Sequence, residues 1–270
     1  MTEEVDGGLP AFADSDGTGV AHRVIGDTLP VLEVQLKSGQ SVISQGGELS
    51  WMTPSVVMTT QTAGAGGSGF VGVLKRAVAG GTIFMSQYTA SVDNSTVAFA
   101  TKLPGRIMPI HVDADNEYMV SRHGYLASTD GVTLNIGFQQ KLGVGVFSGN
   151  GFILQRIAGA GTAWIELSGE IVTYELAAGE SILVHPGHIG LFEAKVTLDI
   201  QMVKGIKNMF FGAEALFLAK LTGPGKVHLQ TMTLPGLAHA LSPYIPEQGN
   251  SGGGGGLGGL GNLAKTFNLG

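Results

Sequence analysis

Two short blocks of turn-forming residues recur three times along this chain in the same order. That recurrence limits the folds open to it more than any single motif does. The first block reads Leu36-Lys37-Ser38-Gly39-Gln40-Ser41-Val42-Ile43, then Val112-Asp113-Ala114-Asp115-Asn116-Glu117-Tyr118-Met119, then Leu176-Ala177-Ala178-Gly179-Glu180-Ser181-Ile182-Leu183. Eleven positions past each first residue stand Gly47-Glu48-Leu49, His123-Gly124-Tyr125 and Gly187-His188-Ile189. The second block reads Lys75-Arg76-Ala77-Val78-Ala79-Gly80-Gly81-Thr82, Gln155-Arg156-Ile157-Ala158-Gly159-Ala160-Gly161-Thr162 and Ala219-Lys220-Leu221-Thr222-Gly223-Pro224-Gly225-Lys226. The first-block starts at 36, 112 and 176 are 76 and 64 residues apart; the glycines at 80, 159 and 223 are 79 and 64 apart. Such spacing describes one supersecondary unit used three times, so any candidate site must be compared with its two sister positions.

Between the blocks the pattern is that of strands. Leu32-Glu33-Val34-Gln35-Leu36, Thr133-Leu134-Asn135-Ile136 and Val196-Thr197-Leu198-Asp199-Ile200-Gln201-Met202 alternate apolar and polar residues. Period-two alternation gives a half-buried strand, because successive side chains face opposite sides of a sheet. Turn formers punctuate the strands at residues 37–40, 128–131, 177–180 and 222–225. No segment of ten or more residues has a helical period, with residues 71–78 and 209–221 as possible short exceptions. The expected fold is all-β, with three tandem β-sandwich or barrel modules in a pseudo-threefold arrangement so that sheet edges meet. The modules span approximately 29–107, 108–171 and 172–241. Residues 1–28, rich in Gly and Asp, read as a flexible arm. Residues 242–270, with a run of five glycines at 252–256, read as a Gly-rich tail.

Composition excludes several function classes. Charged residues make up 13% of the chain, about half of the usual ~25%, which suits a protein that buries surface against copies of itself or a partner. The 15 Lys and Arg residues are scattered and the net charge is −6, so no basic stripe exists for nucleic acid. The absence of cysteine removes disulfides, thiolate nucleophiles and thiolate metal sites, and fits a cytoplasmic location. The acidic N-terminus has no apolar signal core, and no run approaches ~18 apolar residues, so no transmembrane segment is expected.

The motifs Leu36-x-x-Gly39-Gln40-Ser41-Val42, Gly46-Gly47, Gly151-Phe152-x-Leu154-Gln155, Ala178-Gly179-Glu180-Ser181, Pro186-Gly187-His188, Phe217-Leu218-Ala219, Leu221-Thr222-Gly223-Pro224-Gly225 and Leu229-Gln230 occur in order. Over roughly residues 29–240 the chain thereby resembles the family named for altered inheritance of mitochondria, found widely in bacteria as a domain of unknown function. The resemblance implies three β modules similar to the tryptophan RNA-binding attenuation protein, arranged as a pseudo-trimer. It links the mitochondrial members to inner-membrane organisation and biogenesis. It implies no enzymatic activity, cofactor or catalytic residue, and fold alone carries over neither tryptophan nor RNA binding.

The best metal candidates are His185, His188 and Glu193, which resemble a cupin motif. Cupin histidines, however, are separated by one residue and so share a face, whereas Pro186-Gly187 intervenes here as a turn. The sister positions hold Gln45 and Glu48 in the first unit, and Ser121 or Arg122 and Gly124 or Tyr125 in the second. The glycine-rich residues 63–69 lack the Lys and the strand–helix context of a phosphate loop. Ser68 and Ser148 stand outside any nucleophile elbow. The pairs Glu166/Glu170 and Glu175/Glu180 read as solvated face residues. Trp51, Met52, Val56, Val57, Met58, Phe84, Met85, Phe99, Trp164, Phe192, Phe210, Phe211 and Phe217 read mostly as core. Trp51, Phe210 and Phe211 flank turns and form the candidate partner surface, joined by Leu257, Leu260 and Leu263 of the tail. The expectation is a non-enzymatic scaffold acting as a homo-oligomer or through a protein partner. A small-ligand or metal-binding cupin-like protein is the alternative, and peripheral membrane contact through the tail is a third reading.

Overall fold

A computed structural model of the chain describes residues 9–14, 19–61, 85–140, 152–202 and 217–245. The chain divides into a compact body, Met1–Thr233, and a second unit, Leu234–Gly270. The first third of the body holds β1 (Ala21–Ile25), β2 (Val31–Leu36), β3 (Ser41–Gln45), β4 (Trp51–Met52), β5 (Val56–Gln61), β6 (Met85–Ala90) and β7 (Ser95–Ala100). Next come β8 (Gly105–Val112), β9 (Tyr118–Ser121), β10 (Tyr125–Thr129), β11 (Val132–Gln140), β12 (Phe152–Gly159) and β13 (Gly161–Ser168). The last six are β14 (Ile171–Leu176), β15 (Ser181–Val184), β16 (Ile189–Glu193), β17 (Thr197–Met202), β18 (Phe217–Thr222) and β19 (Gly225–Gln230). The fold is all-β with almost no helix, as the alternating patterns and turn spacing predict.

The strands form four sheets. Their orders are β1-β2-β7-β4, β5-β6-β3-β10-β13-β8, β11-β12-β9-β16-β19-β14 and β15-β18-β17, and every pairing is antiparallel. Each consecutive pair of sheets encloses a core. Leu32, Val34, Leu36 and Phe99 of the first sheet pack with Val42, Tyr88 and Trp164 of the second. The opposite face of the second sheet, with Ile43, Ile110, Ala163 and Ile165, packs on Val120, Ile157 and Leu191 of the third. Phe152, Leu154, Phe192 and Val227 then pack on Val184, Ala219 and Leu221 of the fourth. The inner sheets are therefore covered on both faces, which is why β10 is buried at all five positions. Burying one such Leu, Ile, Val or Phe contributes about 1.5–3 kcal/mol.

The turns use side chains as backbone surrogates. Gln40 Oε1 accepts the Lys37 N–H at 2.8 Å and Glu180 Oε2 accepts the Ala177 N–H at 2.8 Å. At the β8–β9 turn, Asp113 Oδ1 does the same for Asp115 and Asn116. Gly39 and Gly179, both at φ +81°, occupy left-handed backbone that a side chain would strain.

Several expectations are corrected. The arm expected over 1–28 contains β1, which pairs with β2 from Ala21 opposite Gln35 to Ile25 opposite Val31. Its His22 is buried, with its ring edge-on to Trp164 at 5.2 Å. Val57 and Met58, expected in the core, are exposed because β5 ends its sheet. The β6–β7 turn is made by residues 91–94, where Asn94 takes φ +60°. The block at 75–82 precedes β6 and so is not the counterpart of the β12–β13 and β18–β19 turns; it lies outside the described residues, as do the glycine-rich segments 62–69, 147–151 and 210–214 and the possible helix at 71–78. The described part of the other possible helix, 209–221, is strand β18. Instead α1 (Leu234–Leu241) opens the second unit, so the β body closes at Thr233. Among the described residues no helix is long and apolar enough to cross a membrane.

Candidate functional site

The expected metal candidates fall on the β15–β16 connection. Residues Pro186–His188 form a 3₁₀ turn, and it separates the two histidine rings to 6.0 Å between centroids at 72°. His185 Nδ1 accepts the Gly187 N–H at 3.3 Å. His188 Nδ1 lies 2.8 Å from the Gln230 carbonyl; a carbonyl only accepts, so Nδ1 carries the proton. Glu193, at the end of β16, turns its Oε2 to the Lys226 N–H and to Lys195 Nζ, each at 2.9 Å. Burial pushes the Glu193 carboxyl up, but Lys195 and the Lys226 amide outweigh it and hold it below the usual range. Burial, then His188, lowers the pKa of His185. His185 holds its own turn while His188 and Glu193 both hold β19, and among the described residues no three His, Asp or Glu groups gather closely enough to hold a metal ion.

A second charged cluster escaped sequence reasoning. Glu48, in the β3–β4 turn, is almost fully buried and takes Lys102 Nζ at 2.5 Å on Oε1, while its Oε2 has no hydrogen-bond partner among the described residues. Glu166, expected on a solvated face, is instead partly buried on β13. Burial first, and the Glu48 charge second, push its carboxyl up to about 7, against the pull of Lys102. Next to it in the β9–β10 turn, burial and the Arg122 and Lys102 charges lower the pKa of His123. The cluster ties the turn after β3, the segment after β7 and strand β13 together. Its one legible signal was Glu48 at the sister position of a histidine. By contrast Glu170 is exposed beside Arg106, and Glu175 and Glu180 are exposed as expected.

Several exposed apolar residues lie on strands that end their sheets. Trp51, on β4 at the end of the first sheet, is 50% exposed and donates its indole N–H to Glu33 Oε1 at 3.2 Å. Leu183, on β15 at the end of the fourth sheet, is 56% exposed. Nothing in the sequence distinguished Leu183 from a core position. The other expected partner residues, Phe210, Phe211, Leu257, Leu260 and Leu263, lie outside the described residues. An open cleft of about 320 Å³ separates residues 39–41, 129–131 and 160–161, with the Ser41 hydroxyl 3.5 Å from Asp130 Oδ2. Its polar lining is glycine backbone, hydroxyl and amide groups with the one carboxylate of Asp130.

A family model described as mitochondrial biogenesis AIM24 matches residues 22–232, from within β1 to just past β19. The chain belongs to the AIM24 family. An uncharacterized protein of Streptococcus pyogenes serotype M6 is 26% identical over 225 residues, covering 82% of this chain and 89% of that protein. The crystal structure of a Streptococcus pyogenes protein matches with a TM-score of 0.66 at 22% identity, over 84% of this chain and 100% of that one. That likeness is one of fold. The AIM24 match takes in β4, β15 and the Glu48–Lys102–Glu166 cluster, and leaves the residues beyond 232 outside it.

Proposed function

We propose that this chain is a non-enzymatic structural protein of the cytoplasm, built of three tandem β modules in a pseudo-threefold arrangement and acting by self-association or by holding protein partners. Three sets of six strands support the modular reading. In the first, β7 pairs with β2 and β4 while β6 pairs with β3 and β5. In the second, β13 pairs with β8 and β10 while β12 pairs with β9 and β11. In the third, β19 pairs with β14 and β16 while β18 pairs with β15 and β17. Even the irregularities agree: β10 skips register between Tyr125 and Ala127, and β16 between Ile189 and Leu191.

The observation that carries the assembly reading is how one module joins the next. Strand β10 pairs with β3, and β16 pairs with β9, so each joint makes one continuous six-stranded sheet from two modules. A module of this kind presents edges that take another module by main-chain hydrogen bonding, the most general form of strand-to-strand recognition. The low charge of 13% fits a surface that is partly covered by protein. Sedimentation equilibrium of the full chain over a concentration series tests the proposal. The weight-average mass is expected to rise above the 27.8 kDa of one chain. A strict single-chain mass at the highest concentration, with no protein retained on the immobilised chain after mild lysis of the native cells, overturns it.

A further inference from the structure

The two joints inside the chain leave one strand of each joining kind unused. A joint always takes the second strand of one module, β3 or β9, and the third strand of the next, β10 or β16. What remains among the described residues is β15, the second strand of the last module, and β4, the third strand of the first. Each ends its sheet, and the sheets they end are half-size: three strands beside β15's edge and, apart from β1, three beside β4's.

Register at the joints is fixed and transferable. At the first, Ala127, Ser128 and Thr129 lie opposite Ser44, Ile43 and Val42. At the second, Leu191, Phe192 and Glu193 lie opposite Val120, Met119 and Tyr118. Ala127 and Leu191 also lie opposite Trp164 and His228 on their module's last strand; Trp51 lies opposite Ala98, the same position of β7. On the other side Ser44 and Val120 each stand eight residues past the start of their first block at Leu36 and Val112. Val184 stands eight past Leu176.

We infer that β4 of one copy pairs antiparallel with β15 of a second copy, with Trp51 opposite Val184, Met52 opposite Leu183 and Thr53 opposite Ile182. The inference rests on the self-association reading and names its surface. The occupant of each edge is a second copy of this chain, because the complementary edge is one this chain itself carries and has used twice. Composition agrees: β15 reads Ser-Ile-Leu-Val and β4 reads Trp-Met, with no charge or proline in either. Edges meant to stay single are commonly blunted by such residues, as β8 is by Arg106 and Pro109. The product is a seven-stranded sheet, β1-β2-β7-β4 continued by β15-β18-β17. Because the two edges differ, the contact is head-to-tail and leaves one free edge of each kind at the ends of any open assembly.

That asymmetry supplies the test. Leu183→Lys disables the β15 edge and keeps β4; Trp51→Lys disables β4 and keeps β15. Both residues are half exposed or more, and far-UV circular dichroism with urea midpoints verifies that each variant folds. Leu183→Glu and Trp51→Glu repeat the test with the opposite charge. Each variant alone is expected to sediment as one chain of 27.8 kDa. An equimolar mixture is expected to form a species of two chains and nothing larger. Tryptophan emission is expected to shift to the blue on mixing, through Trp51 of the Leu183→Lys copy, since Trp164 is already fully buried. Variants that assemble as the wild type does, or a mixture that stays at one chain, overturn this joint while self-association by another surface stands. A wild type that remains a single chain throughout overturns both.

Discussion

Replacing Trp164 by alanine is expected to cost about 3–5 kcal/mol of stability, read as a fall in the urea midpoint followed by circular dichroism. Trp164 is fully buried in the core between the first and second sheets, with Ala127 and Pro109 beside it on the neighbouring strands and the His22 ring edge-on to it. Alanine would leave a cavity bounded by two sheets that are each pinned on further strands, so little collapse is available to relieve it. Such a loss is a large share of the roughly 5–15 kcal/mol that holds a domain folded. Trp164→Phe is expected to cost clearly less. It keeps a ring in place, and the indole N–H it deletes has no hydrogen-bond partner among the described residues. A stability for Trp164→Ala within about 1 kcal/mol of wild type would contradict the core assignment.

Glu166→Gln is expected to stabilise the protein at neutral and alkaline pH. The folded chain holds the Glu166 proton up to about pH 7, whereas an unfolded carboxyl releases it near 4.5. Between those values the folded state binds more protons than the unfolded one, so this group's contribution falls as pH rises and levels off above about 7. At about 1.4 kcal/mol per pH unit, a shift of that size brings the penalty to about 3–4 kcal/mol on the alkaline side. Removing it should leave stability near pH 4 unchanged and raise it by that amount at pH 8. The measurement is the difference between wild-type and variant urea stabilities across that range. The difference cancels groups of opposite sense, such as Asp113 and Glu193, whose lowered pKa values make their contribution fade as pH falls. A difference that is flat with pH would show that Glu166 is ionised in the folded chain.

The sequence exposed those parts of the fold in which one face of a strand meets water or a turn needs glycine. Strands β2, β11 and β17 alternate, and Gly39 and Gly179 mark the turns after β2 and β14. Strand β10 does not alternate because both of its faces are covered, and β4 is only two residues long. The β6–β7 turn was missed because Asp93-Asn94 does there what glycine does elsewhere, while a glycine-rich block just upstream imitated the pattern. The eight-residue helix at 234–241, interrupted by Gly236, is too short to show a period. Site residues were less legible still. Glu166 sits at an outward-reading position of its strand, but another layer of the body covers that side. Leu183 reads as core in sequence, and only the pairing shows that it lies on an open edge. The histidines of the 185–188 turn looked like ligands because sequence records residue type and spacing, whereas ring direction is set by a 3₁₀ turn.

Strand β1 has a practical consequence for any shortened form of this protein. A boundary drawn from composition would remove everything before residue 29 as dispensable. That cut would strip the strand lying along β2 and take away Val20 and His22, both buried in the first core. The main-chain groups of β2 would then face solvent beside an opened core, and a freshly exposed strand of that kind adheres to whatever strand it meets. Clumping of the trimmed protein would therefore be an artefact of the cut, easily mistaken for the native mode of assembly.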